Sequence, residues 1–271
     1  MIPFIESMNS AFDLTGKNAI ITGGNGGIGL GIGRAIAEAG ANIAILCRDM
    51  EKAKNAIEKL SIFNVKVKAY FCDITIPATV RKAVADVCED FGNIDILINN
   101  SGAKCNSLLL DMDEDITIWR EIIETDLTGM AQMTYEVAKR MRDAGKGGSI
   151  VNITSNAGAI VNKGIHITPY SVAKAGANHF TRAMAVELGE YDIRVNAIAP
   201  GFTNLSNDGE RKDALVEPGS EMDTLVYEQH ANKRRGETIE NGALAVFLCS
   251  PAAAHITGEV VTIDGGYTLI K

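Results

Sequence analysis

Short, almost wholly apolar runs recur along the chain, and longer amphipathic stretches separate them. The runs are NAIIT (18–22), NIAIL (42–46), VKAYF (67–71), IDILI (94–98), SIVNIT (149–154), IRVNAI (193–198) and VVTI (260–263). Their length, β-branched content and lack of polar alternation predict seven strands buried on both faces. Segments 28–39, 49–60, 76–91, 129–143, 170–189 and 238–249 read as helices. The alternation predicts an α/β fold: a single doubly wound domain with a seven-stranded parallel sheet and helices on both faces. In such a sheet ligands bind outside the carboxyl ends of the strands, at the switch point. Residues 1–12 read as an N-terminal arm and 13–271 as the folded domain, with a polar, irregular insertion at 203–236.

Composition narrows the class. With 46% hydrophobic and 22% charged residues, 271 residues bury a large core. A net charge of −8 argues against nucleic acid as a partner, since phosphate binding needs a basic face. The five cysteines are odd in number with no CxxC pair, and the four histidines lack metal-ligand spacing. A disulfide framework and a zinc site are therefore not expected, and a reducing cytoplasm is. The opening MIPFIESMNSAFDLTGK lacks the features of a signal peptide, and no stretch approaches the ~20 apolar residues of a membrane helix.

The first strand runs into TGGNGGIGLGIGRAIAEAG, with seven glycines between 23 and 33. Inside an ordinary helix they would be destabilising. They make sense if Gly23, Gly27 and Gly29, with Asn25 and Ile28 between them, let the chain turn tightly against a pyrophosphate at a helix N-terminus. This points to a Rossmann-like, dinucleotide-binding domain. The alternative is a helix needing small residues for close packing, the role expected of Gly31 and Gly33. After the second strand, LCRD offers Cys47 and Arg48 where an acid would bind a free ribose 2′-hydroxyl. Arg48 suits a 2′-phosphate, so NADP(H) is favoured over NAD(H), with a plain surface charge as the alternative. Asp49 reads as the cap of the next helix, with Glu51 and Lys52 on its solvated side.

TGGNGGIG, NNSG (99–102), Ser155, YSVAK (170–174) and PGFT (200–203) resemble, in order and spacing, the motifs of the classical short-chain dehydrogenase/reductases. The resemblance spans about 13–271 and includes CDIT (72–75) and TGEVVTIDGGY (257–267). It implies that Asp73 and Ile74 flank the adenine and that Asn100 and Gly102 run beneath the cofactor. It also implies that Pro200, Gly201 and Thr203 close over the nicotinamide and phosphates. Ser101 stands where the family usually has Ala.

Tyr170 and Lys174, four apart, share one face of a helix. A phenol titrates near ~10, and a neighbouring ammonium favours its ionised form. The family resemblance makes Tyr170 the general acid/base, Lys174 its partner and a cofactor-ribose ligand, and Ser155 the group that orients the substrate oxygen. Thr154 is the competing hydroxyl. Asp126 in IIETDLTGM stands where the family carries an Asn credited with a proton relay through water. One reading keeps the relay, with Asp126 stabilising the ammonium of Lys174; the other makes Asp126 a cap of a helix or helix kink.

Substrate selectivity is expected from 156–168, from Lys104 and from the insertion. Asn156, Asn162, Lys163 and His166 suit a sugar, polyol or keto acid, whereas Ile160, Val161, Ile165 and Ile167 suit a steroid-like ketone. His166 reads as a loop residue, and Asp208, Glu210, Glu217, Glu221 and Asp223 as a solvated lid face. The activity so implied interconverts a small-molecule ketone and a secondary alcohol. NAD-dependent oxidation and an inactive nucleotide-binding regulator are the alternatives. A homodimer or homotetramer through 129–143, 170–189 and GGYTLIK is implied by the same resemblance.

Overall fold

The computed structural model describes residues 7–103, 107–161, 165–205 and 220–270. Its main sheet contains β1 (Asn18–Thr22), β2 (Asn42–Cys47), β3 (Val67–Phe71), β4 (Ile96–Asn99), β5 (Gly148–Ile153), β6 (Ile193–Pro200) and β9 (Val260–Ile263). The strand order is β3-β2-β1-β4-β5-β6-β9, and every pairing is parallel. The chain winds outward from β1 to β3, then returns to place β4 on the other side of β1. The switch point therefore lies between β1 and β4.

Period-two alternation divides the core. Ile21, Ile43, Ile45, Ile96 and Ile98 face helices α2 (Gly27–Glu38), α3 (Met50–Leu60) and α9 (Thr238–Cys249). Their neighbours Ile20, Ala44, Leu46 and Leu97 face α4 (Pro77–Phe91) and α6 (Gly129–Ala144). Helix α7 (Thr168–Leu188) packs beside β6. A one-turn helix, α1 (Met8–Ala11), precedes the sheet; Ala11 is buried and Phe12 meets Phe247 of α9.

Two elements depart from the sequence expectation. Helix α5 (Thr117–Ile123) runs through a π-helical turn (Glu124–Thr128) directly into α6. The insertion is not irregular throughout, because it contains helix α8 (Glu221–Glu228). Strand β7 (Thr203–Asn204) pairs with β8 (Gly236–Glu237) across the insertion and brings its two ends together. No helix among the described residues is long and apolar enough to cross a membrane.

Candidate active site

The turns at the switch point are tied to each other. Asn100 donates from Nδ2 to the carbonyls of Thr22 (3.0 Å) and Gly23 (3.2 Å), and its N–H donates to Thr22 Oγ1 at 2.9 Å. Helix α2 lies so close to this junction that a Cβ on Gly29 would stand 2.4 Å from both Asn100 Nδ2 and Gly23 O. Gly23 turns the chain with φ +64°, and no side chain caps α2, so its first-turn N–H groups remain available to an anion.

A crevice of about 820 Å³ opens above this junction. Gly23, Asn25, Gly26 and Ile28 form one wall, with Cys47 and Arg48 at the end of β2 and Asp73 and Ile74 after β3. Asn100 and Gly102 lie beneath, and Pro200, Gly201 and Thr203 follow β6 on the far side. Gly27 lines only a smaller adjoining pocket. Gly29 lies behind this wall, where the missing Cβ lets Asn100 and the Gly23 carbonyl approach α2. Arg48 Nη1 stands 3.7 Å from Asp73 Oδ2 at the mouth. Burial raises the Asp73 carboxyl pKa, but hydrogen bonds from Thr75 and the charge of Arg48 outweigh it and leave the carboxyl below its usual range. Burial pushes the thiols of Cys47 and Cys72 up to about 11. Asp49 caps α3 by accepting from the Lys52 N–H at 2.9 Å, as expected.

At the other end stand Ser155, Tyr170, Lys174 and Asp126, all in the crevice wall. The Ser155 Oγ accepts from the Ala157 N–H at 3.1 Å, which fixes the turn that follows β5. Thr154 is engaged elsewhere, donating to Ile198 O at 3.2 Å. Tyr170 lies in the first turn of α7 and Lys174 one turn later, with the Lys174 ammonium 5.4 Å from the Tyr170 ring centre. Lys174 is 3% exposed, donates to Ile153 O at 3.0 Å, and forms an ion pair with Asp126 Oδ2 at 3.2 Å. Burial lowers its pKa, but Asp126 and then Tyr170 outweigh this, and the net shift is upward.

Asp126 is fully buried in the π-helical turn. Its Oδ1 accepts from the Ala103 N–H at 2.6 Å, so neither oxygen is turned to its own helix as a cap. An N–H thus hydrogen-bonds one oxygen of this side chain, and the Lys174 ammonium faces the other as an ion pair. An amide presents one acceptor and one donor, and cannot meet both. A carboxylate faces both the Ala103 N–H and the Lys174 ammonium with an acceptor oxygen.

Several side chains in or behind the wall carry no sequence pattern that marks them. Arg235 lines the crevice and binds Asp223 through Nε at 3.0 Å. Asp223 is therefore buried in an ion pair, not part of a solvated face. Asp264 anchors the Ser155 turn from just beyond β9: its Oδ2 accepts from Asn156 Nδ2 (3.4 Å) and Thr268 N–H (3.0 Å), and its Oδ1 from Gly266 N–H (3.0 Å). Asn156 also lines the crevice. His166 is exposed, and its carbonyl accepts from the Ser107 N–H. Lys104, Asn162, Lys163, Asp208, Glu210 and Glu217 lie outside the described residues, as does the side chain of Glu221. Among the described residues no cluster could hold a metal ion.

Capacity, an uncapped helix N-terminus, and polar and cationic groups along the length of the crevice fit a dinucleotide with a reactive ring near Tyr170. A family model described as enoyl-(acyl carrier protein) reductase matches residues 23–268. The chain is 37% identical to the uncharacterized oxidoreductase YgcW of Escherichia coli (strain K12), over 97% of this chain and 98% of the relative. It is 35% identical to an NADP-dependent mannitol dehydrogenase of Alternaria alternata, over 98% and 97%. A solved short-chain type dehydrogenase/reductase from Mycobacterium marinum superposes with a TM-score of 0.88 at 32% identity, over 97% of this chain and 99% of that one. The chain belongs to the short-chain dehydrogenase/reductase family, oxidoreductases that act on CH–OH groups.

Proposed function

We propose that the protein is an NADP(H)-dependent oxidoreductase that interconverts a ketone and a secondary alcohol, with a ketose and its polyol as the substrate pair. The observation that carries this reading is one crevice holding Ser155, Tyr170 and Lys174 at one end and Arg48 at the other. The similarity to an NADP-dependent mannitol dehydrogenase supports both the cofactor and the polyol. The polar Asn204 in the same wall supports the polyol.

A bound nicotinamide dinucleotide supplies the hydride. Gly23, Asn25, Gly27 and Ile28 would cradle its phosphates, Arg48 its 2′-phosphate, and Asp73 and Ile74 its adenine. Asn100, Gly102, Pro200, Gly201 and Thr203 would enclose the nicotinamide half. Ser155 Oγ donates to the substrate oxygen and orients it. Tyr170 gives that oxygen its proton in reduction and takes it back in oxidation. Lys174 holds the resulting phenolate by charge. Asp126 keeps Lys174 an ammonium and completes the way by which a proton leaves the site.

A cytoplasmic homodimer or homotetramer completes the reading. The apolar Tyr135 on α6 and Val172 and Val186 on α7, all exposed, support association through those helices.

The test is nicotinamide absorbance with native protein and Tyr170→Phe, against a panel of ketoses, polyols, keto acids and steroid ketones, with NADPH and NADH. Turnover of a ketose with NADPH, lost in Tyr170→Phe, is expected. A preference for NADH would make it an NAD-dependent alcohol dehydrogenase. No turnover of any substrate by native protein would make it a nucleotide-binding regulator.

A further inference from the structure

We infer that Lys52 is a second cation of the adenosine end and reads the 2′-phosphate together with Arg48. This rests on the NADP(H) reading above and extends it to a residue that neither the glycine motif nor the end of β2 contains.

Three elements meet at this corner: the glycine turn, the end of β2 and the first turn of α3. Asn25 Nδ2 donates to Asp49 O at 3.3 Å and closes the junction. Lys52 reaches across it from α3. Its Nζ lies 3.2 Å, and its Cε 3.0 Å, from where a Cβ on Gly26 would stand, and the side chain lines the crevice. Lys52 gains no stability from its place in the first turn of α3, where the helix dipole disfavours a cation.

The charges nearby are already assigned. Asp49 caps α3 through the Lys52 N–H, and Glu51 pairs with Lys54 at 2.8 Å. Arg48 has Asp73 beside it, which offsets part of its charge. Among the described residues no carboxylate lies within ion-pair distance of the Lys52 ammonium. A phosphate monoester carries a charge of about −1.5 to −2 near neutrality, more than a single, partly neutralised guanidinium matches. Lys52 supplies the missing charge as a compact donor, beside the planar fork of Arg48.

The experiment is calorimetric titration of adenosine 2′,5′-bisphosphate and of 5′-AMP into native protein, Lys52→Met, Lys52→Arg and Arg48→Met. Loss of one charge-assisted contact predicts that Lys52→Met weakens the bisphosphate about tenfold or more while 5′-AMP binds as before. Lys52→Arg restores most of the loss. Equal weakening of both ligands would place Lys52 on the shared 5′-phosphate and overturn the assignment. Native preference for the bisphosphate that only Arg48→Met abolishes would overturn it too, with NADP(H) intact. Native protein binding both ligands equally would remove the NADP(H) preference itself.

Discussion

Asp126→Asn tests the buried pair at the centre of the site. The ion pair spans 3.2 Å with almost no solvent contact. Coulomb's law at an effective dielectric of about 20 gives roughly 5 kcal/mol for it. Breaking a buried pair by neutralising one member costs about 3–5 kcal/mol, because the other charge stays buried. The amide adds a conflict. With its oxygen toward Ala103 N–H its NH2 faces the ammonium, and the flipped amide faces the Ala103 N–H instead. At about 2 °C per kcal/mol for a chain this long, the melting midpoint falls by about 6–10 °C. Lys174 has a raised folded pKa, so its stabilisation is complete below the unfolded value of ~10.4 and is lost as pH rises through the folded one. The gap between the two proteins is accordingly full at neutral pH and narrows in strong alkali. Thermal melts at both pH values and kcat at neutral pH measure this. Turnover stays within a modest factor, since Lys174 keeps its bond to Ile153 O. An unchanged midpoint would refute the argument, and a large gain in turnover would refute the role given to the carboxylate.

Gly31 and Gly33 separate packing from propensity. A Cβ on Gly31 would meet Thr238 at 2.5 Å, so Gly31→Ala destabilises by about 1–3 kcal/mol; one on Gly33 meets Leu60 at an ordinary 3.4 Å, so Gly33→Ala stabilises by about 0.5–1 kcal/mol, both read by urea unfolding. Ser155→Ala lowers kcat by about 10²–10³, the loss of one oxygen-directed donor, whereas Thr154→Val lowers the unfolding midpoint and spares kcat. The Glu240 carboxyl, held at about 2 chiefly by Arg234, contributes stability that is complete above ~4.3 and is lost as pH falls toward about 2. Glu240→Gln removes that part of the acid limb in a plot of urea midpoint against pH.

Much of the architecture was legible because buried parallel strands must be apolar on both faces. All seven runs are strands, and the errors are a residue or two at their ends, as at β4 and β6. Helix α5 was not, because its polar lead-in DMDED hides its start at Thr117 and the π-helical turn breaks the spacing of Ile118, Ile122 and Leu127. Ser155, Tyr170 and Lys174 were legible through motif order. The rest depends on contacts between distant segments. Nothing local shows that Ala103 N–H will meet Asp126, or that Asp223 will be buried by Arg235. Only the folded turn shows how closely Asn100 approaches Gly29.

The tie between Asn156 and Asp264 crosses 108 positions of sequence. A nascent polypeptide that has emerged through Lys174 already carries every side chain proposed to react, yet the buttress behind the serine has not been synthesised. On that reading competence arrives late in translation, and a message cut short before codon 264 yields a protein bearing the full proposed set on a turn without its Asp264 anchor.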